Sequence, residues 1–138
     1  MFDLVSTNPL LQMMDRSMTL ATRRMTLIAG NLANIDTPNY RAQDFSFEDA
    51  FKQSVADLDR QISPSGVNSV PSYFPSTPAP PAYQAGAGTA FERNDLNDVN
   101  LDQQTMLLAK TQNIYQLASN FAQAELRRIL GAIRDGAK

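Results

Sequence analysis

Residues 8–36 read Asn8-Pro9-Leu10-Leu11-Gln12-Met13-Met14-Asp15-Arg16-Ser17-Met18-Thr19-Leu20-Ala21-Thr22-Arg23-Arg24-Met25-Thr26-Leu27-Ile28-Ala29-Gly30-Asn31-Leu32-Ala33-Asn34-Ile35-Asp36. Asn8 is a strong N-cap. Pro9 suits the first helical position, where an N–H would lack a partner anyway. Apolar residues then recur at Leu11, Met14, Met18, Ala21, Met25, Ile28, Leu32 and Ile35. The steps alternate between three and four without a break, which is the spacing of a coiled-coil seam. The pattern predicts one helix ending near Asp36, roughly 40 Å long at about 1.5 Å per residue. Pro38 disfavours helical geometry at Thr37 and sets the stop. Methionines on the seam make it adaptable. Gly30 costs about 1 kcal/mol against Ala in mid-helix and permits close approach of a neighbour.

Working outward, a second long helix is expected from about residue 101. Asn100 is its N-cap, with Gln103 placed to reach back as in a capping box. Asp95, Asp98 and Asp102 gather at its start, and Arg127, Arg128, Arg134 and Lys138 at its end. That polarity complements a helix dipole. One apolar row runs Leu108, Tyr115, Ala118, Ala122, Leu126, Ile129 and Ile133, passing through Thr111. A second row, Leu107, Ile114, Leu117 and Phe121, lies beside it. The steps 118–122–126 are four and four, a stutter that locally relaxes a left-handed supercoil. Two rows are wider than one partner helix needs, so this helix is expected to meet more than one neighbour. Ser46-Phe47-Glu48-Asp49 has the capping-box pattern. Phe47, Phe51, Val55, Leu58 and Ile62 follow on one face, predicting a shorter helix at about 47–60.

Six of the eight prolines fall between residues 63 and 92. Such a segment cannot propagate a helix or a central strand, and reads as a long loop. Its Tyr73, Phe74, Tyr83 and Phe91 are either incidental or anchors that dock it on a partner. The division is therefore 1–40, a helix and turn; 41–62, a short amphipathic helix; 63–98, a linker; and 99–138, the last helix. Segments 1–40 and 99–138 form one antiparallel coiled-coil domain in a mainly α fold. A helical hairpin of this size covers one side of each helix and is marginal alone. The uncovered stripe points to completion by assembly.

Composition narrows the function. Among 138 residues there is no His and no Cys, and the formal net charge is −2. Imidazole and thiolate catalysis, disulfides and ordinary zinc, copper or haem ligation are excluded. No cofactor or metal is expected, and mild acidity argues against nucleic acid. Arg23 and Arg24 interrupt the most apolar stretch, so no membrane span is expected. The first residues lack the basic and long apolar regions of a cleavable secretory signal.

The remaining chemical candidates read as structure. Asp44, Glu48 and Asp49 read as helix-start acids on a solvated face. Gly86-Ala87-Gly88-Thr89 lacks the strand, third glycine and lysine of a phosphate loop. Arg23-Arg24 and Arg127-Arg128 read as solvated flanks of a seam, with intersubunit ion pairs as the minority reading. No catalytic residue is assigned, and an enzyme is not expected. The most specific string is Asn31-Leu32-Ala33-Asn34-Ile35-Asp36-Thr37-Pro38-Asn39-Tyr40. Locally it is a helix end and a turn, with Pro38 at the first corner and Asn39 left-handed at the second.

This string resembles the A-N-x-x-T-P-x-Y signature of bacterial flagellar rod and hook proteins, carried here by Ala33, Asn34, Thr37, Pro38 and Tyr40. Asn39 stands where the family usually has Gly. The continuation through Asp44 and Phe47 resembles the proximal-rod version. Asn97-Asp98-Val99-Asn100-Leu101-Asp102 with Asn113-Ile114-Tyr115 is similar to the second family signature. There the family more often has an acid at Asn100 and at Gln103 or Gln104, and Gly at Leu96. Together the blocks cover about half the chain.

The resemblance implies an axial structural subunit whose terminal helices form the inner tube of a helical assembly. It implies export by the flagellar type III apparatus without signal cleavage, to the rod in the periplasmic space. Expected partners are copies of itself, other rod proteins, the rod–ring adaptor protein, the membrane ring and the export gate, with roles in torque transmission and lining the export channel. No small-molecule substrate is expected. The readings left open are another rod protein of the same family and a cytosolic coiled-coil adaptor or secretion chaperone.

Overall fold

The computed structural model describes residues 8–62, 84–85 and 93–136. The Gly86–Thr89 string and the aromatics Tyr73, Phe74, Tyr83 and Phe91 lie outside them. The order is α1 (Pro9–Ala33), β1 (Gln43–Asp44), α2 (Phe47–Ile62), β2 (Gln84–Ala85) and α3 (Leu101–Gly136). The fold is mainly helical, with the long terminal helices packed together. Asn8 at the start of α1 bonds Glu125 late in α3, and Asn31 at its end bonds Gln104 early in α3. The pair is therefore antiparallel.

The helix starts form as their sequences require. The Asn8 side-chain oxygen accepts the N–H groups of Leu10 and Leu11 at 2.9 and 3.4 Å. Asn100 accepts those of Asp102 and Gln103 at 2.9 and 3.2 Å. Ser46 accepts that of Asp49 at 3.3 Å. Each satisfies N–H groups that the first turn of a helix leaves without a partner.

Two boundaries differ from expectation. The middle helix runs to Ile62 rather than about residue 60. Helix α1 stops at Ala33, with Asn34 as its C-cap, rather than near Asp36. Its last carbonyls are met locally, Gly30 by the Asn34 side chain and Asn31 and Leu32 by the N–H groups of Asn34 and Ile35. The Asn97 amide bonds the Asn34, Ile35 and Thr37 carbonyls, so that stretch has a better partner than another helical turn. The expected turn follows. Tyr40 N–H returns to the Thr37 carbonyl at 3.3 Å, and Asn39 has φ 61° at the second corner.

Helix α1 is embedded on two faces rather than along one seam. Leu11, Ala21 and Ile28 from the seam are buried, while Met14, Met18, Met25 and Leu32 are half-buried. A second face carries buried Arg16, Leu20 and Arg24. Leu20 packs with Phe45 and Ala50, and Leu27, Phe47 and Phe51 close around them. Phe47 stacks on Phe51 with ring centroids 6.2 Å apart. The close approach that Gly30 permits is not used by the described residues, among which a Cβ there would meet nothing within 4 Å.

Leu96 is the second left-handed residue, at φ 63°, and its side chain is half exposed. Left-handed geometry costs a residue with a Cβ about 1–2 kcal/mol. Glycine avoids that strain but loses more freedom on folding. Leu96→Gly is therefore expected to stabilise the chain by about 0.5–1 kcal/mol, measured as a higher urea midpoint of helicity. A lower midpoint would mean that the leucine side chain contributes more than the strain costs.

Candidate assembly interface

At one end of the helix pair, the chain after α1 meets the chain before α3 in a polar knot. The Asn31 side chain is its hub. Its amide donates to the Gln43 carbonyl at 2.9 Å and to Gln104 Oε1 at 3.1 Å. Its oxygen accepts the Gln43 N–H at 2.9 Å and the Tyr40 hydroxyl at 3.2 Å. Asn31 thus pairs with Gln43 as a neighbouring strand would. On its other side, Gln43 pairs with Ala85 of β2. With the hub's polar groups satisfied, burial at 1% exposure carries little penalty.

Asn97 is the complementary clamp. Fully buried, it holds three carbonyls at 2.9–3.0 Å, and its oxygen accepts the Val99 N–H at 2.8 Å. Arg93 adds a bond to the Ile35 carbonyl at 3.0 Å. Asn39 N–H donates to the Asp95 carbonyl at 2.9 Å, joining the segments of the two left-handed residues. Buried Asp98 accepts the Ala42 N–H at 2.6 Å and lies 3.6 Å from Arg41. Residues 93–98, grouped by composition with the linker, are thus docked against the 31–42 segment. Among the signature residues, Ala33, Thr37, Pro38 and Asn39 stay exposed, while Tyr40 is half-buried.

Arg24 corrects the expectation of a solvated flank. It is buried and grips Asp44 through two parallel bonds, Nε to Oδ1 at 2.9 Å and Nη2 to Oδ2 at 2.5 Å. Asp44 likewise is not a solvated helix-start acid. The pair joins α1 to β1 with the planar fork geometry that guanidinium and carboxylate share. A one-dimensional seam puts Arg24 beside Met25 without revealing the second partner. The spacing Leu20–Arg24–Leu27–Asn31 could have disclosed a second face. Arg16, also buried, donates to the Ser54 carbonyl at 2.8 Å.

On α3 the residues expected to pack divide sharply. Ala118 is buried. Leu107, Leu108, Ile114, Ala122 and Ile129 are half-buried. Tyr115, Leu117, Phe121, Leu126 and Ile133 are exposed. Ile35, past the end of α1, is half-buried. Sequence reasoning missed Gln104 and Glu125, which are buried beside α1. Past Glu125, α3 continues to Gly136 and exposes Leu126, Leu130 and Ile133. No helix among the described residues is long and apolar enough to cross a membrane. Nor is there a group of three or more acidic residues among them that could hold a metal ion.

These features define a helical hairpin, locked at one end and bearing an apolar face that its own described residues leave open. No family model matches the chain. It is similar to the flagellar basal body rod protein FlgB of Bacillus subtilis (strain 168), at 29% identity over 112 residues covering 77% of this chain and 78% of that one.

Asn97→Ala would take one donor from each of three carbonyls and leave the buried Val99 N–H without its acceptor. It is expected to destabilise the chain by about 3 kcal/mol, read as loss of amide exchange protection across both 31–42 and 97–104. Protection lost in only one segment would separate the two halves of the knot. A second expectation concerns acid. Glu125 sits below its ordinary value of 4.5, chiefly through its bond from Arg128 and then that from Asn8, with burial opposing. A depressed carboxyl adds stability above its unfolded value, and that stability is lost as pH falls through the folded value. Stability should therefore fall below about pH 4.5. In Glu125→Gln that fall should be shallower, checked by urea midpoints across the acid range.

Proposed function

We propose that this chain is a structural subunit of the bacterial flagellar basal-body rod, near its proximal end, and not an enzyme. The observation that carries this reading is the face of α3 where Leu117 and Phe121 stand more than half exposed. A monomer gains nothing from large apolar groups in water, whereas a repeating subunit covers them with its neighbours. The similarity to a rod protein gives that general reading its setting.

In this reading, copies of the chain and other rod proteins pack on α3 and on the open side of α1. The helices gain order as neighbours arrive, so folding and polymerisation are coupled. The assembly connects the membrane ring to the rest of the rod, transmits torque and lines the export channel. The rod–ring adaptor protein and the export gate lie next to it. The chain reaches the rod in the periplasmic space through the flagellar type III apparatus, without signal cleavage.

Leu117→Asp and Phe121→Asp test the reading, since each places a charge on the open face without touching the buried row. Helicity of the free chain should stay as in the parent, while incorporation into basal bodies and motility are lost. Normal incorporation of both variants would overturn the proposal. A stable cytosolic dimer that never enters basal bodies would favour a coiled-coil adaptor instead.

A further inference from the structure

Hydrophobic burial alone does not explain which row of α3 faces α1. Gln104, Thr111, Ala118 and Glu125 recur every seventh residue and are all buried. Three positions after the first three come Leu107, Ile114 and Phe121, larger and apolar, yet half-buried to exposed. Three residues turn a helix by about 300°, so the two rows lie about 60° apart around the axis. A rotation of that size would bury a leucine, an isoleucine and a phenylalanine in place of a glutamine, a threonine and an alanine. Apolar burial favours that orientation.

Two hydrogen bonds oppose the rotation. Asn31 Nδ2 donates to Gln104 Oε1 at 3.1 Å, and Asn8 Nδ2 donates to Glu125 Oε1 at 3.0 Å. Neither α1 partner is free to follow. Asn31 is tied to Gln43 and Tyr40, and the Asn8 oxygen caps α1. Between these bonds, Thr111 is fully buried and returns its hydroxyl to the Leu107 carbonyl at 2.7 Å. It therefore accepts burial without a partner on α1. The two bonds stand nearly at opposite ends of the contact. Together they fix both the rotation and the register, as buried polar residues do in coiled coils.

We propose that Gln104 and Glu125 are orientation determinants that hold α3 turned so that Leu117 and Phe121 face outward. The use of that face in assembly rests on the reading above, but the rotation is tested in the free chain. The two can therefore fail separately.

The chain has no cysteine, so Phe121→Cys or Ala122→Cys gives a single thiol reporter. Each is combined with Gln104→Leu and Glu125→Leu, and its alkylation rate is compared with that of the same reporter in the parent. The Phe121 thiol is expected to react about tenfold more slowly, through burial. The Ala122 thiol, in the row that turns outward, should react faster. Glu125→Gln keeps an acceptor for Asn8 and should leave both rates as in the parent. Should the leucine pair lose helix content, Gln104→Met with Glu125→Met, closer to the original shapes, is read instead. Unchanged rates in a folded variant overturn the proposal. Loss of helix content in both pairs overturns it too, because the bonds would then support the fold itself rather than choose its rotation.

Discussion

The structure depends on how the C-terminal end of α1 is satisfied. A helix leaves its last carbonyls without intrahelical partners, and here Asn34 and Ile35 meet those of Gly30, Asn31 and Leu32. Asn97 then holds three carbonyls just past the helix end, from sixty or more residues along the chain. This contact holds residues 34–37 in their turn and brings the start of α3 alongside. The Asn31 hub then uses the same corner to hold β1 and Gln104. If the carbonyls were left to water, the turn, the strand and the antiparallel register would have to be specified separately.

Polar groups set the geometry of this molecule more than apolar ones do. Beyond the knot, Arg24 and Asp44 fix where β1 crosses α1, and Asn8 and Glu125 fix the far end of the helix pair. Hydrophobic burial is non-directional. A chain whose helices carry two apolar rows could bury either of them. Directional bonds at both ends remove that freedom, leaving one face against α1 and another open.

The helices were legible because their information is local. Asn8, Ser46 and Asn100 cap what they should cap, and the turn at Pro38-Asn39 takes the geometry its residues prefer. The mainly helical fold with paired terminal helices follows from the seam spacing and the long apolar rows. The second face of α1 was not legible, because a seam is read in one dimension and Arg24 acquires its meaning only from Asp44, twenty residues on. Gln104 and Glu125 were missed for a related reason. Polar residues on an amphipathic helix are assigned to water by pattern, and only a specific partner reverses that assignment. The functional setting came from a resemblance carried by the same Asn-rich strings that the structure brings into contact at the knot.

The distribution of strong contacts along the hairpin suits a part that must be both specific and unfinished. Contacts of high sequence separation cluster at the knot, where Asn97, Asp98 and Arg93 reach back to residues 35–42. At the opposite end, α3 continues past the Asn8–Glu125 bond with Leu126, Leu130 and Ile133 exposed. Local opening free energies track buried contacts, so the hairpin is expected to be firm at the knot and yielding along 126–136. Such a gradient lets one end define the subunit while the other adapts to what it meets. A uniformly packed pair would have little apolar surface left to offer a neighbour. A uniformly loose one would present no fixed face, because the orientation of α3 is inherited from the knot through Gln104.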